Sequence, residues 1–228
     1  MTWRTGPLVV GLIAVIALSA CDRSDDEPTD QSPPTSETTM NTQALTDALS
    51  SEFTSANGAF RLSHPSAWIV EETFDDGAVV LANQQAALDR YMAGSSPVEG
   101  DLVLHVGFLP ASLFQQRELA RFEISVDAAP DVFLRSTLPA LDIASGAELG
   151  DIELVSFGGR QAGRSTVQSP DREGVIVAFP AGDGVAGLVS TVTAAGESAR
   201  FEEVVSQIVE SVAYEGDEGA LYGRLLTG

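Results

Sequence analysis

Apolar residues recur with a regular period only between about Phe53 and Glu215, and that stretch sets the size of whatever the chain folds into. Roughly 160 residues suit one domain. A domain of that length buries about 70% of its unfolded surface without needing disulfides or metals. No linker-like segment interrupts the pattern, so the expectation is one folded unit over residues 53–215 and a short tail at 216–228. The hydrophobic share of 44% is ordinary for a globular protein.

Within that unit the punctuation is mostly that of a β protein. Asn57-Gly58 marks a turn, and Ala59-Phe60-Arg61-Leu62-Ser63 alternates like a short strand. His64-Pro65 ends it, because the residue before proline is pushed out of the helical region. Trp68-Ile69-Val70 opens a second strand, and Asp75-Asp76-Gly77 reads as a hairpin turn into Ala78–Ala82. Further strands are expected at Leu102–Phe108, Ile152–Phe157, Gln161–Val167, Val175–Phe179 and Leu188–Val192, with turns at Gly158-Gly159 and Gly182-Asp183-Gly184. Gln84–Met92, Ser112–Phe122 and Asp131–Leu138 read as helices, the last weakened by Pro139. The clearest helix runs from about Glu197 to Ala213. Its Phe201, Val204, Val205, Ile208, Val209 and Val212 form one continuous stripe. Acidic Glu197, Glu202 and Glu203 sit toward its positive end. Hairpins, middle helices and a closing helix imply an α+β fold, an antiparallel sheet covered by helices.

The segment from Gly58 to Trp68 (Gly58-Ala59-Phe60-Arg61-Leu62-Ser63-His64-Pro65-Ser66-Ala67-Trp68) resembles the opening hairpin of PsbP-like domains, where an aromatic strand residue precedes a proline and then a tryptophan. Gly159-Arg160-Gln161-Ala162 and the closing stretch from Phe201 to Tyr214 are similar to that group too. The resemblance implies an α/β/α sandwich with a central antiparallel sheet flanked by helices. It also implies a non-catalytic accessory or binding role, and it maps no ligand residues onto this chain.

The amino terminus is of a different kind. Arg4 and the terminal amine precede an 11-residue apolar run, Leu8–Leu18, which is too short to span a bilayer. It has the proportions of a signal peptide over residues 1–20. Leu18-Ser19-Ala20-Cys21 then resembles the bacterial lipobox. The resemblance implies cleavage after Ala20 and acylation of the Cys21 thiol by a diacylglyceryl group, with chains of the palmitate kind. Cys21 is the only cysteine, so no intramolecular disulfide or thiolate cluster can form. Two acyl chains anchor stably where one is marginal. In diderm bacteria, Asp22 after such a cysteine implies retention at the inner membrane. Residues 21–52 are rich in Ser, Thr, Pro and acid, and have too little apolar area to offset ordering entropy. They read as a disordered tether spanning about 30 Å on average, with one loose helical turn at Gln43–Leu49.

Charge and chemistry narrow the function further. The formal charge is −21, and removing Arg4 with the leader makes it one unit more negative. That excess disfavours nucleic acid and anionic headgroups as partners. All twelve basic residues are arginine, which fits either a GC-rich coding bias or a salty habitat. His64 and His105 are the only histidines. Neither lies by a nucleophile-elbow pattern, and they lack metal-ligand spacing. His64 is expected to shape the turn before Pro65, and His105 to lie on a strand face. Asp75-Asp76-Gly77 and Asp183-Gly184 lack the alternating oxygen ligands of a calcium loop. Gly158-Gly159 and Gly182 lack the lysine of a phosphate loop. No catalytic residue, metal or cofactor is assigned. Leu221, Tyr222, Leu225 and Leu226 would pack back on the domain, fray, or serve as a short partner-binding segment. The first expectation is a non-catalytic binding or accessory lipoprotein on the extracytoplasmic face of a bacterial membrane, with a protein partner in the cell envelope. The second is a receptor for a small ligand or metal ion, which a deep pocket would favour. The third is a hydrolase, which needs His64 or His105 within hydrogen-bond reach of Ser, Asp or Glu.

Overall fold

A run such as Ala78-Val79-Val80-Leu81-Ala82 is apolar on both faces, so it belongs in a sheet covered on both sides. That is where it lies. The computed structural model describes residues 49–73, 77–116, 119–140 and 146–216. In the larger of two sheets, β3 (Ile69–Thr73), β4 (Ala78–Ala82), β5 (Leu102–Pro110), β10 (Val185–Ala194), β9 (Arg172–Gly182) and β8 (Arg160–Gln168) follow one another in space. The outer edge of β8 is paired along its length by β7 (Glu153–Phe157) and then β6 (Glu148–Leu149). The pairings are antiparallel throughout.

The smaller sheet places β2 (Phe60–His64) between β1 (Ser51–Thr54) and β11 (Ala213–Tyr214). It lies on one face of the large sheet, beside helix α4 (Glu202–Ser211). An aromatic chain ties the two sheets together: Phe53–Phe60, Phe60–Phe108 and Phe108–Tyr214 have ring centroids 5.8, 4.7 and 5.1 Å apart. All six residues of the expected apolar stripe are buried here, against Leu102, Leu104, Val175, Val177 and Val189. Burying six such side chains contributes on the order of 10 kcal/mol before the entropy cost of ordering them.

The opposite face carries the other helices. There α1 (Gln85–Met92) covers Val80, Ala82 and Val103 at one end. At the other end α2 (Ala111–Phe114) and α3 (Pro130–Ala140) cover Ile176, Ala178, Ala186 and Leu188. The architecture is therefore α+β, an antiparallel sheet sandwiched between helical layers, as the pattern implied. The segments that carried the PsbP resemblance become β2 with the turns on either side of it, the turn between β7 and β8 with the start of β8, and α4 with β11.

Three details differ from the expectation. The stretch Ser112–Phe122 is not one helix: α2 stops at Phe114, and a 3-10 turn occupies Ala120–Phe122. Its buried Phe114 and Leu119 are five residues apart, so they do not share a helical face, and reaching one core overrides local propensity. The closing helix starts as a 3-10 turn at Ser198–Phe201 and ends at Ser211, because Val212 turns extended to start β11. Ser51 and Glu52, counted by composition with the tether, form half of β1, and Leu49 packs against the core. At Gly158 and Gly159 φ is +55° and +84°, the double left-handed geometry of a tight hairpin, so both glycines serve the turn.

Candidate functional site

Two clefts open on opposite sides of the same strands. The larger, about 450 Å³, lies between the α4 layer and the curled edge formed by β7, β8 and β9. Its floor is Leu102, Val155, Phe157, Val175 and Val177, and Phe201 and Val205 form the wall toward α4. Clefts that hold small molecules run from about 300 to 1,000 Å³ and are mostly apolar with a few placed polar groups.

The polar groups deep in this cleft are already committed. Thr191 Oγ1 accepts the Val175 N–H at 2.9 Å, and Thr193 Oγ1 donates to the Glu173 carbonyl at 3.2 Å. A Glu173 carboxylate oxygen accepts the Ser198 N–H. Arg164 differs. It projects from β8 to the α4 side and meets Glu202 at 3.3 Å, and among the described residues its side chain makes no hydrogen bond. Its side chain is 28% exposed, against 61% for Glu202. Glu153, its register neighbour on β7, is exposed.

The smaller cleft, about 80 Å³, sits under α1 and is bordered by Tyr91, Val103, Ile176, Ser190 and Val192. It has room for a few waters. Arg90 and Asp101 close one end of it. Arg90 donates to the Asp101 carboxylate from Nε at 2.7 Å and Nη2 at 2.6 Å; the Val98 N–H and Gln84 Nε2 add bonds of 2.9 and 2.8 Å. Burial alone would raise the Asp101 pKa, but these four donors outweigh it and hold the carboxyl below its usual range. Burial pushes the Tyr91 phenol up to about 12.

His64 does end its strand, with Nδ1 2.9 Å from the Pro65 carbonyl. His105 lies on β5 between Val80 and Ser190, facing the α1 side of the sheet. Its ring is half-buried among apolar neighbours, and desolvation lowers its pKa to about 4. Among the described residues neither histidine bonds to a hydroxyl or carboxylate, the pairing that a hydrolase site would need. Asp183-Gly184 lies in the β9–β10 hairpin. Among the described residues no three His, Cys, Asp or Glu side chains converge as a metal site. No described helix is long and apolar enough to cross a membrane. Leu18, Ser19, Ala20 and Cys21 lie outside the described residues, as do the tether to residue 48, the turn residues Asp75 and Asp76, and the tail residues Leu221, Tyr222, Leu225 and Leu226. Sequence reasoning missed the Arg164 cleft, since nothing in Arg160-Gln161-Ala162-Gly163-Arg164 marks one arginine over the other.

No protein-family model matches the chain, and no curated protein is similar to it in sequence. Solved structures show distant likenesses. A protein from Bacteroides thetaiotaomicron is 12% identical with a TM-score of 0.46, and the match covers 75% of this chain and 50% of that one. The chain thus spans half the length of that protein. Cyanobacterial PsbP (CyanoP) from Synechocystis is 14% identical with a TM-score of 0.42, over 72% of this chain and 92% of that one. LpqN of Mycobacterium tuberculosis, involved in cell envelope biogenesis, is 13% identical with a TM-score of 0.34, over 69% and 83%.

Proposed function

We propose that the protein is an extracytoplasmic bacterial lipoprotein, anchored through acylated Cys21, whose domain is a non-catalytic binding module with the α4 cleft as its binding site. The observation that carries the binding role is the cleft: about 450 Å³, apolar within, its inner hydroxyls already paired and one arginine held loosely at its border. The anchor rests on Leu18-Ser19-Ala20-Cys21 after an 11-residue apolar run. The tether then sets the domain about 30 Å from the bilayer, and Asp22 favours the inner membrane in a diderm host.

Mass spectrometry of the mature amino-terminal peptide tests the anchor. The expected peptide begins at Cys21 and carries a diacylglyceryl group, and an unmodified sulfhydryl there overturns the anchoring. Cys21→Ser is expected to move the protein from the membrane to the soluble fraction.

A protein partner in the cell envelope is a second reading, favoured by exposed apolar side chains where α3 and β7 meet. Val132 is 51% and Leu154 52% exposed. Crosslinking in native membranes, with Leu154→Asp as the control, is expected to capture one recurrent partner that the variant loses. Unchanged capture by Leu154→Asp would remove this surface from the reading.

A further inference from the structure

We infer that the α4 cleft takes an amphiphile with a single carboxylate, its apolar tail along Leu102, Val155, Val175 and Val205 and its head on Arg164. This inference rests on the binding role proposed above and deepens it.

The argument is one of unsatisfied donors. A guanidinium offers five N–H groups in a flat fork that matches a carboxylate. Other arginines spend that capacity inside the domain in part or in full. Arg90 grips Asp101 twice, Arg61 bonds Glu215, and Arg160 donates from Nη2 to the Val212 carbonyl. Arg160 Nη1 is shut away from any ligand by burial and has no hydrogen-bond partner among the described residues. Arg164 has a 28% exposed side chain, and its one polar partner among the described residues is Glu202 at 3.3 Å. Glu202 is the more exposed partner and stands in the first turn of α4, where the helix N-terminus stabilises it without Arg164. An incoming carboxylate can displace it at little cost, since exposed pairs of this kind contribute about 0–1 kcal/mol.

The rest of the border selects for an anion with a tail over a polyanion or a sugar. Glu153, Glu173 and Glu202 all stand near the guanidinium or along the lining, so a second negative charge would meet carboxylates. A polyhydroxylated ligand would find the Thr193 hydroxyl donating within the protein, the Thr191 hydroxyl already accepting the Val175 N–H, and an apolar floor of Leu102, Val155, Val175 and Val177. One charge and an apolar body satisfy both conditions.

The test is calorimetric titration of the full chain carrying Cys21→Ser, so that no acyl group competes, with decanoate and with decanol. Decanoate is expected to bind at least about tenfold tighter than decanol, the discrimination that one charge-assisted pair supplies. Arg164→Gln is expected to abolish that preference, weakening decanoate about tenfold and leaving decanol unchanged. Glu202→Gln, which frees the guanidinium, is expected to strengthen decanoate binding by about threefold. Ser206→Trp, which fills the cleft from α4, is expected to abolish both. Equal affinity for the two probes, or a preference that survives Arg164→Gln, overturns the carboxylate inference while leaving a binding cleft. Absence of binding by both probes, or binding indifferent to Ser206→Trp, overturns the cleft as a site. Melting curves of each variant separate loss of binding from loss of fold.

Discussion

Each of the two clefts is bordered by an arginine and a carboxylate, and the two pairs are built for opposite ends. On the α1 side Asp101 is 1% exposed and receives four donors, so nothing is left for a ligand to use. On the α4 side Arg164 and Glu202 barely touch, and the guanidinium keeps its donors. A buried, saturated pair fixes one geometry, because either partner left alone would be an uncompensated charge. A loose pair at a rim is exchangeable. Burial and saturation, rather than the residue types, separate the structural pair from the one available for binding.

Breaking the saturated pair should have the largest effect. Asp101→Asn leaves Arg90 without its counter-charge and is expected to destabilise the domain by about 3 kcal/mol in urea unfolding. Next comes the strand between the clefts. A Cβ on Gly174 would stand 1.9 Å from the Thr191 carbonyl oxygen, so Gly174→Ala forces β9 from β10 and is expected to cost about 2 kcal/mol by the same measurement.

His105 sharpens the contrast between the two faces, because it titrates on the α1 side alone. Its folded pKa of about 4 lies below the ordinary 6.5. Between those values the unfolded chain holds the proton and the folded one does not. Stability therefore falls as pH drops from 6.5 toward 4. A shift of this size corresponds to about 3 kcal/mol, and the ring's remaining solvent access reduces the expected loss to about 1–2 kcal/mol. Unfolding at pH 7 and pH 4.5 should show that this part of the loss disappears in His105→Gln. The smallest effect belongs to the exchangeable pair. Glu202→Gln is expected to change stability by less than about 0.5 kcal/mol.

Strands and helices with an internal period are legible in the amino-acid order alone. The α4 stripe, the all-apolar β4 and the glycine hairpins declare themselves within a few residues, since burial of their own side chains decides them. Elements decided by a neighbour are not legible in this way. β1, β6 and β11 are two to four residues long with unremarkable composition, and pairing with β2 or β8 makes them strands. The broken α2 region follows a core that its local pattern does not show. The cleft is the extreme case, since it joins Leu102, Val155, Arg164, Val175, Thr191 and Val205 from six separate elements. Only assembly shows that Arg164, among the described arginines, is the one that borders this cleft with a single ion pair. The His64 turn is readable because its cause, Pro65, is the next residue.

Between β9 and β10 the antiparallel register runs through Ser190 and Ile176 and resumes at Thr193 and Glu173, skipping the residues between. In that gap the Val175 N–H is held by the Thr191 hydroxyl instead of a carbonyl. A hydroxyl can swing aside by one bond rotation, whereas a main-chain acceptor moves only with its whole strand. The seam should therefore take up deuterium sooner than the rungs on either side. Thr191 borders both clefts, so this one amide is the place where the two faces of the sheet come nearest to sharing a hydrogen bond.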